Sequence, residues 1–151
     1  MKLHNCFDLI TPEQIKMLEH DLGIHLPGDY SDFLLKNNGG RPKPNGFSYV
    51  SQGDGKIYKG MVDWFLGVNT GKHNDFQKYY EMYKDRVPRD FIPIAHDPGG
   101  NLICLSLKDG TVYFWDHDEE VEEGEIPDYR NMYKITDSFS DFLLSLRDFD
   151  K

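Results

Sequence analysis

Phe91-Ile92-Pro93-Ile94-Ala95, Leu102-Ile103-Cys104-Leu105-Ser106-Leu107 and Thr111-Val112-Tyr113-Phe114-Trp115-Asp116-His117 decide the fold. They are three short runs rich in aliphatic and aromatic residues, the composition of strands. Between them lie Asp97-Pro98-Gly99-Gly100-Asn101 and Asp109-Gly110. Proline presets φ, and glycine tolerates positive φ, so both segments have turn chemistry. Short turns between consecutive strands make antiparallel neighbours, so the stretch reads as a β-meander. Val112 to Trp115 is apolar on both alternations, which calls for cover on both faces of the sheet.

Helices are expected outward from the meander at both ends. Thr11 caps the first, Pro12 takes its first position and Gln14 completes a T-x-x-Q capping box. Ile15, Leu18 and Leu22 recur at helical spacing before Gly23 stops the run. A second helix follows Pro27, with Tyr30, Phe33 and Leu34 on one face, and ends at Asn37-Asn38-Gly39-Gly40. Arg41 to Gly46 reads as a loop. Strands are expected at Phe47–Ser51 and Val62–Val68, with Asp54-Gly55 as a turn signal between them. Asn74 to Arg86 reads as a helix with Phe76, Tyr79, Tyr80 and Tyr83 as a core-facing stripe. A short strand near Met132–Ile135 precedes a last helix from Ser138 that stacks Phe139, Phe142, Leu143 and Leu146. The sum is an α+β single domain over residues 1–151, a mostly antiparallel sheet flanked by N-terminal, middle and C-terminal helices.

A chain of 151 residues is long enough to bury a core without disulfide or metal. Met1 to Asp8 lacks the apolar run of a secretory signal, and no stretch approaches the roughly 18 apolar residues of a membrane span. Cys6 and Cys104 have no metal-type spacing, and Cys104 sits in an apolar strand. A reducing, cytoplasmic setting is expected, with no membrane contact.

The search for chemistry returns little. There is no G-x-S-x-G elbow, and Gly39-Gly40 and Gly99-Gly100 lack the spacing of phosphate-binding loops. His96, Asp97, Asp116 and His117 form the one candidate metal cluster, but no H-x-x-x-H or H-x-E spacing supports it. The expectation is therefore a protein that is not an enzyme and holds no cofactor or metal.

Charge is the distinctive feature. The formal net charge is −9, from 26 acids against 17 bases. Asp116, Asp118, Glu119, Glu120, Glu122, Glu123, Glu125 and Asp128 supply eight of those acids in 13 residues with no intervening base. The remainder is nearly neutral, 18 acids against 17 bases, so direct nucleic-acid binding is not expected. Blocks of like charge are often solvated loops, but Trp115, Val121, Ile126 and Tyr129 interleave with this one, as in binding surfaces.

The ordered motifs resemble the SUKH superfamily of Smi/Knr-type domains. The opening match is Ile15-x-x-Leu18-Glu19-x-x-Leu22-Gly23-x-x-Leu26-Pro27-x-x-Tyr30-x-x-Phe33-Leu34, then Asn37-x-Gly39-Gly40. Phe91-Ile92-Pro93-Ile94-Ala95-x-Asp97-x-Gly99-Gly100-Asn101, Val112 to His117 and Ser138-Phe139-x-x-Phe142-Leu143 continue it, over about residues 11 to 147. The sequence departs at Asn101, where the family often carries Asp. The resemblance implies a non-catalytic α+β domain, in bacteria mostly an immunity protein that neutralises a polymorphic toxin, often a nuclease. Its alternative is an adaptor or regulator of protein assemblies, as in the fungal cell-wall-linked relatives. It also implies that a cleft beside the sheet receives the partner, which points to Tyr30, Asp97, Asn101 and Trp115. With the acids Asp116, Asp118, Glu119, Glu120, Glu122, Glu123 and Glu125, these are the candidate contacts for a cognate toxin with a basic active-site surface.

Overall fold

The computed structural model describes residues 1–149. The meander forms the centre of a five-stranded antiparallel sheet: β5 (Trp64–Phe65), β6 (Phe91–His96), β7 (Leu102–Ser106), β8 (Val112–Trp115) and β9 (Met132–Thr136), ordered β5-β6-β7-β8-β9. All five residues of β7 are buried. Side chains alternate between two apolar clusters. Ile103, Leu105, Val112 and Phe114 join the larger one, which holds Tyr30, Phe33, Phe47, Phe139 and Phe142 from α2 (Gly28–Lys36), β3 (Gly46–Val50) and α4 (Phe139–Ser145). Leu102, Cys104 and Trp115 join the smaller one, with Tyr79 and Tyr83 of α3 (Phe76–Tyr83) packed against it. Both faces of β8 are thus covered, as its composition requires. Burial pushes the Cys104 thiol up, away from thiolate chemistry.

The helix signals act as expected. Thr11 accepts from Gln14 N at 3.2 Å while Gln14 Oε1 accepts from Thr11 N at 2.8 Å, closing the capping box of α1 (Pro12–Leu22). Ser138 caps α4, and Asp75 caps α3, which spans the aromatic stripe and is shorter than the expected run from Asn74 to Arg86. Of that stripe only Phe76 is fully buried. Of the two glycines in the β6–β7 turn, Gly100 takes the left-handed φ, 91°.

Three local differences have physical reasons. Arg41–Lys43, expected as loop, is strand β2 and pairs with β1 (Lys2–His4), Leu3 opposite Pro42. A strand centred on proline hides from propensity because Pro42 has no N–H to donate to a ladder. The partner of β3 is β4 (Ile57–Met61), not Val62–Val68. β4 is largely exposed and so carries a weak apolar signal, whereas Val62, Leu66 and Val68 are buried in mostly irregular backbone.

That irregular backbone is organised by Asn38, which is 1% exposed. Its Nδ2 donates to Asp8 O at 2.8 Å and Val68 O at 2.9 Å, and its Oδ1 accepts from Val68 N at 2.8 Å. Gly39 follows with φ 72°, and a Cβ there would stand 2.8 Å from Phe65 O. The Asn-Gly pair therefore ties the N-terminal segment to β5 and the chain leaving it.

Asn38→Ala strands buried peptide groups and is expected to cost about 2–4 kcal/mol in chemical denaturation. Tyr30→Phe serves as its contrast, because the buried Tyr30 hydroxyl has no hydrogen-bond partner among the described residues. Its loss is expected to change stability by less than about 1 kcal/mol. Equal costs for the two variants would contradict this assignment.

Candidate protein-binding surface

The surface begins where β8 leaves the sheet. Trp115 points into the α3-side cluster, so alternation turns Asp116 to the opposite face, beside Phe114. Asn131 grips the backbone there: Asp116 N donates to Asn131 O at 3.0 Å and Asn131 Nδ2 donates to Asp116 O at 2.8 Å. The Asp116 carboxylate accepts from Asp118 N at 3.0 Å and caps a short 3₁₀ turn over His117–Glu119. Burial holds this carboxyl above its ordinary range, opposed by the Asp118 N–H bond and reinforced by the Glu119 and Asp118 charges.

Glu119 and Glu120 then diverge. Glu119 accepts from Tyr133 Oη at 2.8 Å, a bond that pushes the Tyr133 hydroxyl up to about 12. Glu120 turns to α3, where Arg86 Nε and Nη2 donate to it at 3.2 and 2.8 Å. The Arg86 guanidinium lies 4.5 Å from the Tyr83 ring centre and 5.9 Å from that of Trp115. Asp128 is paired with Arg130 at 3.0 Å. The run is therefore not a uniform acidic tail. Glu120 and Asp128 are compensated by arginines, while Asp118, Glu122, Glu123 and Glu125 remain exposed. Between Asp85-Arg86 and Glu120–Glu125 lies a cleft of about 470 Å³.

The remaining candidates divide cleanly. Asp97 and Asn101 build the β6–β7 turn: Asp97 accepts from Gly99 N, Asn101 N and Asn101 Nδ2 at 2.8–2.9 Å. Asn101 Oδ1 accepts from His117 N at 3.0 Å, so this side chain uses both ends of its amide to hold the start of the acidic segment. An aspartate would supply no donor to Asp97. Trp115 and Tyr30 do not line a surface. Each is 0% exposed, Trp115 edge-on to Tyr83 and Tyr30 among Phe33, Phe76 and Phe139, because both point into apolar clusters.

His96 and His117 have protein partners. His96 Nε2 lies 2.6 Å from Asn74 Oδ1 with its ring stacked on Tyr79, and His117 Nε2 lies 2.8 Å from Gly99 O. Among the described residues no three His, Cys, Asp or Glu side chains converge as a metal site. Nor is any helix among the described residues long and apolar enough to cross a membrane.

Three residues that sequence reading did not single out stand beside Asp116. Tyr49 of β3 stacks on Phe114 at 5.0 Å, on Tyr58 of β4 at 5.9 Å, and meets Tyr133 of β9 at 5.4 Å. Their only sequence signal was three tyrosines in three separate weak strands, and nothing local says that they meet.

Arg86→Ala removes the latch between α3 and the acidic segment. The pair is part-exposed and screened, so the expected cost is about 1 kcal/mol. Amide exchange should accelerate across residues 118–128 and stay unchanged in β7. Uniform acceleration, or none, would show that the segment is held by something else.

Similarity to known proteins agrees with this architecture. A SPbeta prophage-derived uncharacterized protein, YokK of Bacillus subtilis (strain 168), is 36% identical in an alignment that covers 91% of this chain and 75% of that protein. The profile of the SMI1 / KNR4 family (SUKH-1) matches residues 9–145, from the turn before α1 to the end of α4. The chain belongs to the SMI1 / KNR4 (SUKH-1) family.

Proposed function

We propose that this protein is a cytoplasmic immunity protein that binds a toxin domain with a basic surface and blocks it stoichiometrically, without catalysing a reaction. The observation that carries the reading is the acidic segment held on a rigid base, with Asp116 fixed by Asn131 and Glu120 by Arg86. Family membership and the prophage origin in the relative's name are in keeping with it.

The physics favours a nucleic-acid-handling target. A nuclease must present lysines and arginines to phosphate, so its active-site cleft is basic. Carboxylates on a loop tethered through Asn131 and Arg86 can occupy such a cleft where phosphates would lie, and each tether lowers the entropic cost of docking. Asp118, Glu122, Glu123 and Glu125 face solvent and supply the long-range attraction that speeds capture. Asp97 and Asn101 act indirectly, by holding His117 and the turn that follows.

Co-expression with toxin domains encoded in the same genome is expected to restore growth for one of them. Rescue of none would favour the adaptor reading. For the rescued pair, Asp118→Asn, Glu122→Gln, Glu123→Gln and Glu125→Gln combined should slow association about tenfold or more at low salt. The variant's rate should also respond less to added salt. Wild-type kinetics across a salt series would remove the acidic segment from the interface.

A further inference from the structure

Beside the exposed acids lies an open cup of about 310 Å³ lined by Tyr49, Ser51, Tyr58, Asp116, Glu119 and Tyr133. Four elements of the fold build it: β3, β4, the turn after β8, and β9. Tyr49 and Tyr58 lie nearly parallel, 20° apart, and Tyr133 is tilted 36° from Tyr49, so the cup has a continuous aromatic lining. Tyr58 is braced from outside by its hydroxyl, which donates to Asp54 at 2.5 Å. Two carboxylates stand at the cup, Asp116 part-buried and Glu119 bound by the Tyr133 hydroxyl. Among the described residues neither has a lysine or arginine within ion-pair distance, whereas Glu120 and Asp128 each do.

A cavity that joins stacked aromatic faces to two uncompensated carboxylates is complementary to an organic cation. Ring faces attract positive charge, and a planar guanidinium can stack while its forked donors reach two acceptors. An ammonium presents a compact, strongly hydrated charge and gains less from the stack. We propose that this cup receives one arginine side chain of the protein partner, its guanidinium lying against the tyrosine rings and paired with Asp116 and Glu119. The identity of that partner as a toxin rests on the function proposed above. The cup's preference for a guanidinium does not.

The test uses the full chain and N-acetyl-arginine amide as the probe, followed by NMR, with N-acetyl-lysine amide and neutral N-acetyl-citrulline amide as comparisons. Saturable shifts are expected at Tyr49, Tyr58, Asp116, Glu119 and Tyr133, strongest for arginine, weaker for lysine and lost for citrulline. Asp116→Asn keeps an oxygen that can cap the 3₁₀ turn and should weaken arginine binding about fivefold or more. Glu119→Gln and Tyr58→Leu should each weaken it too, and Tyr58 is exposed enough for its replacement to leave the core intact. Absent or scattered shifts, citrulline binding as well as arginine, lysine binding as tightly, or full affinity in all three variants would each overturn the proposal. The titration needs no toxin, so it can succeed where growth rescue fails. Growth rescue that survives all three substitutions would leave the immunity role standing and exclude the cup from its interface.

Discussion

Everything on the acidic side of this molecule depends on how strand β8 ends. Asn131, 2% exposed, receives the Asp116 N–H on its backbone carbonyl and returns a side-chain N–H to the Asp116 carbonyl. This exchange extends the pairing of β8 with β9 by one position and then stops it. Residue 115 is the last to point into the core and residue 116 the first to carry charge. With Asp116 and Asn131 clasped, the chain between them is a closed excursion whose two ends cannot separate, which limits the entropy that its ordering costs. The adjoining turn adds a third point of attachment through Asn101 and His117.

The sheet's alternation distributes the charges of that excursion between two faces. On the α3 side, Arg86 and Glu120 close over the Tyr83–Trp115 contact, so the charge there is internally balanced. On the β3–β4 side, Asp116 and Glu119 face tyrosines and have no cation beside them among the described residues. The net charge of −9 is therefore concentrated in direction as well as in sequence. Apolar packing keeps that direction fixed, because Phe114 under Tyr49 joins the hairpin to the sheet. Under the proposed function, a charged surface tethered to such a base steers association with its partner.

The strong periodic segments were legible in the sequence. The meander, the capping box at Thr11 and the closing helix announce themselves because local chemistry and tertiary demand agree there. The weak strands β1, β2 and β4 were not, since they are short, edge-placed or exposed and owe their pairing to tertiary contacts. The site divides the same way. A run of acids is visible in any reading, but its internal compensation is not, because Arg86 lies 34 residues from Glu120. Trp115 and Tyr30 drew notice as large aromatics near motifs, yet their size is what the core uses. Tyr49, Tyr58 and Tyr133 drew none, because what matters about them is that three strands bring them together.

Together the parts describe a protein whose scaffold is apolar and aromatic and which presents one clasped acidic segment beside three tyrosines. The central claim is that this side of the molecule meets the partner. Hydrogen exchange of the protein, alone and with a toxin domain recovered by growth rescue, tests it most directly. The account predicts slowed exchange at residues 116–125 and 49–58 with α1 and α2 unchanged. Protection confined to α1 and α2, with the acidic segment exchanging as in the free protein, would contradict it.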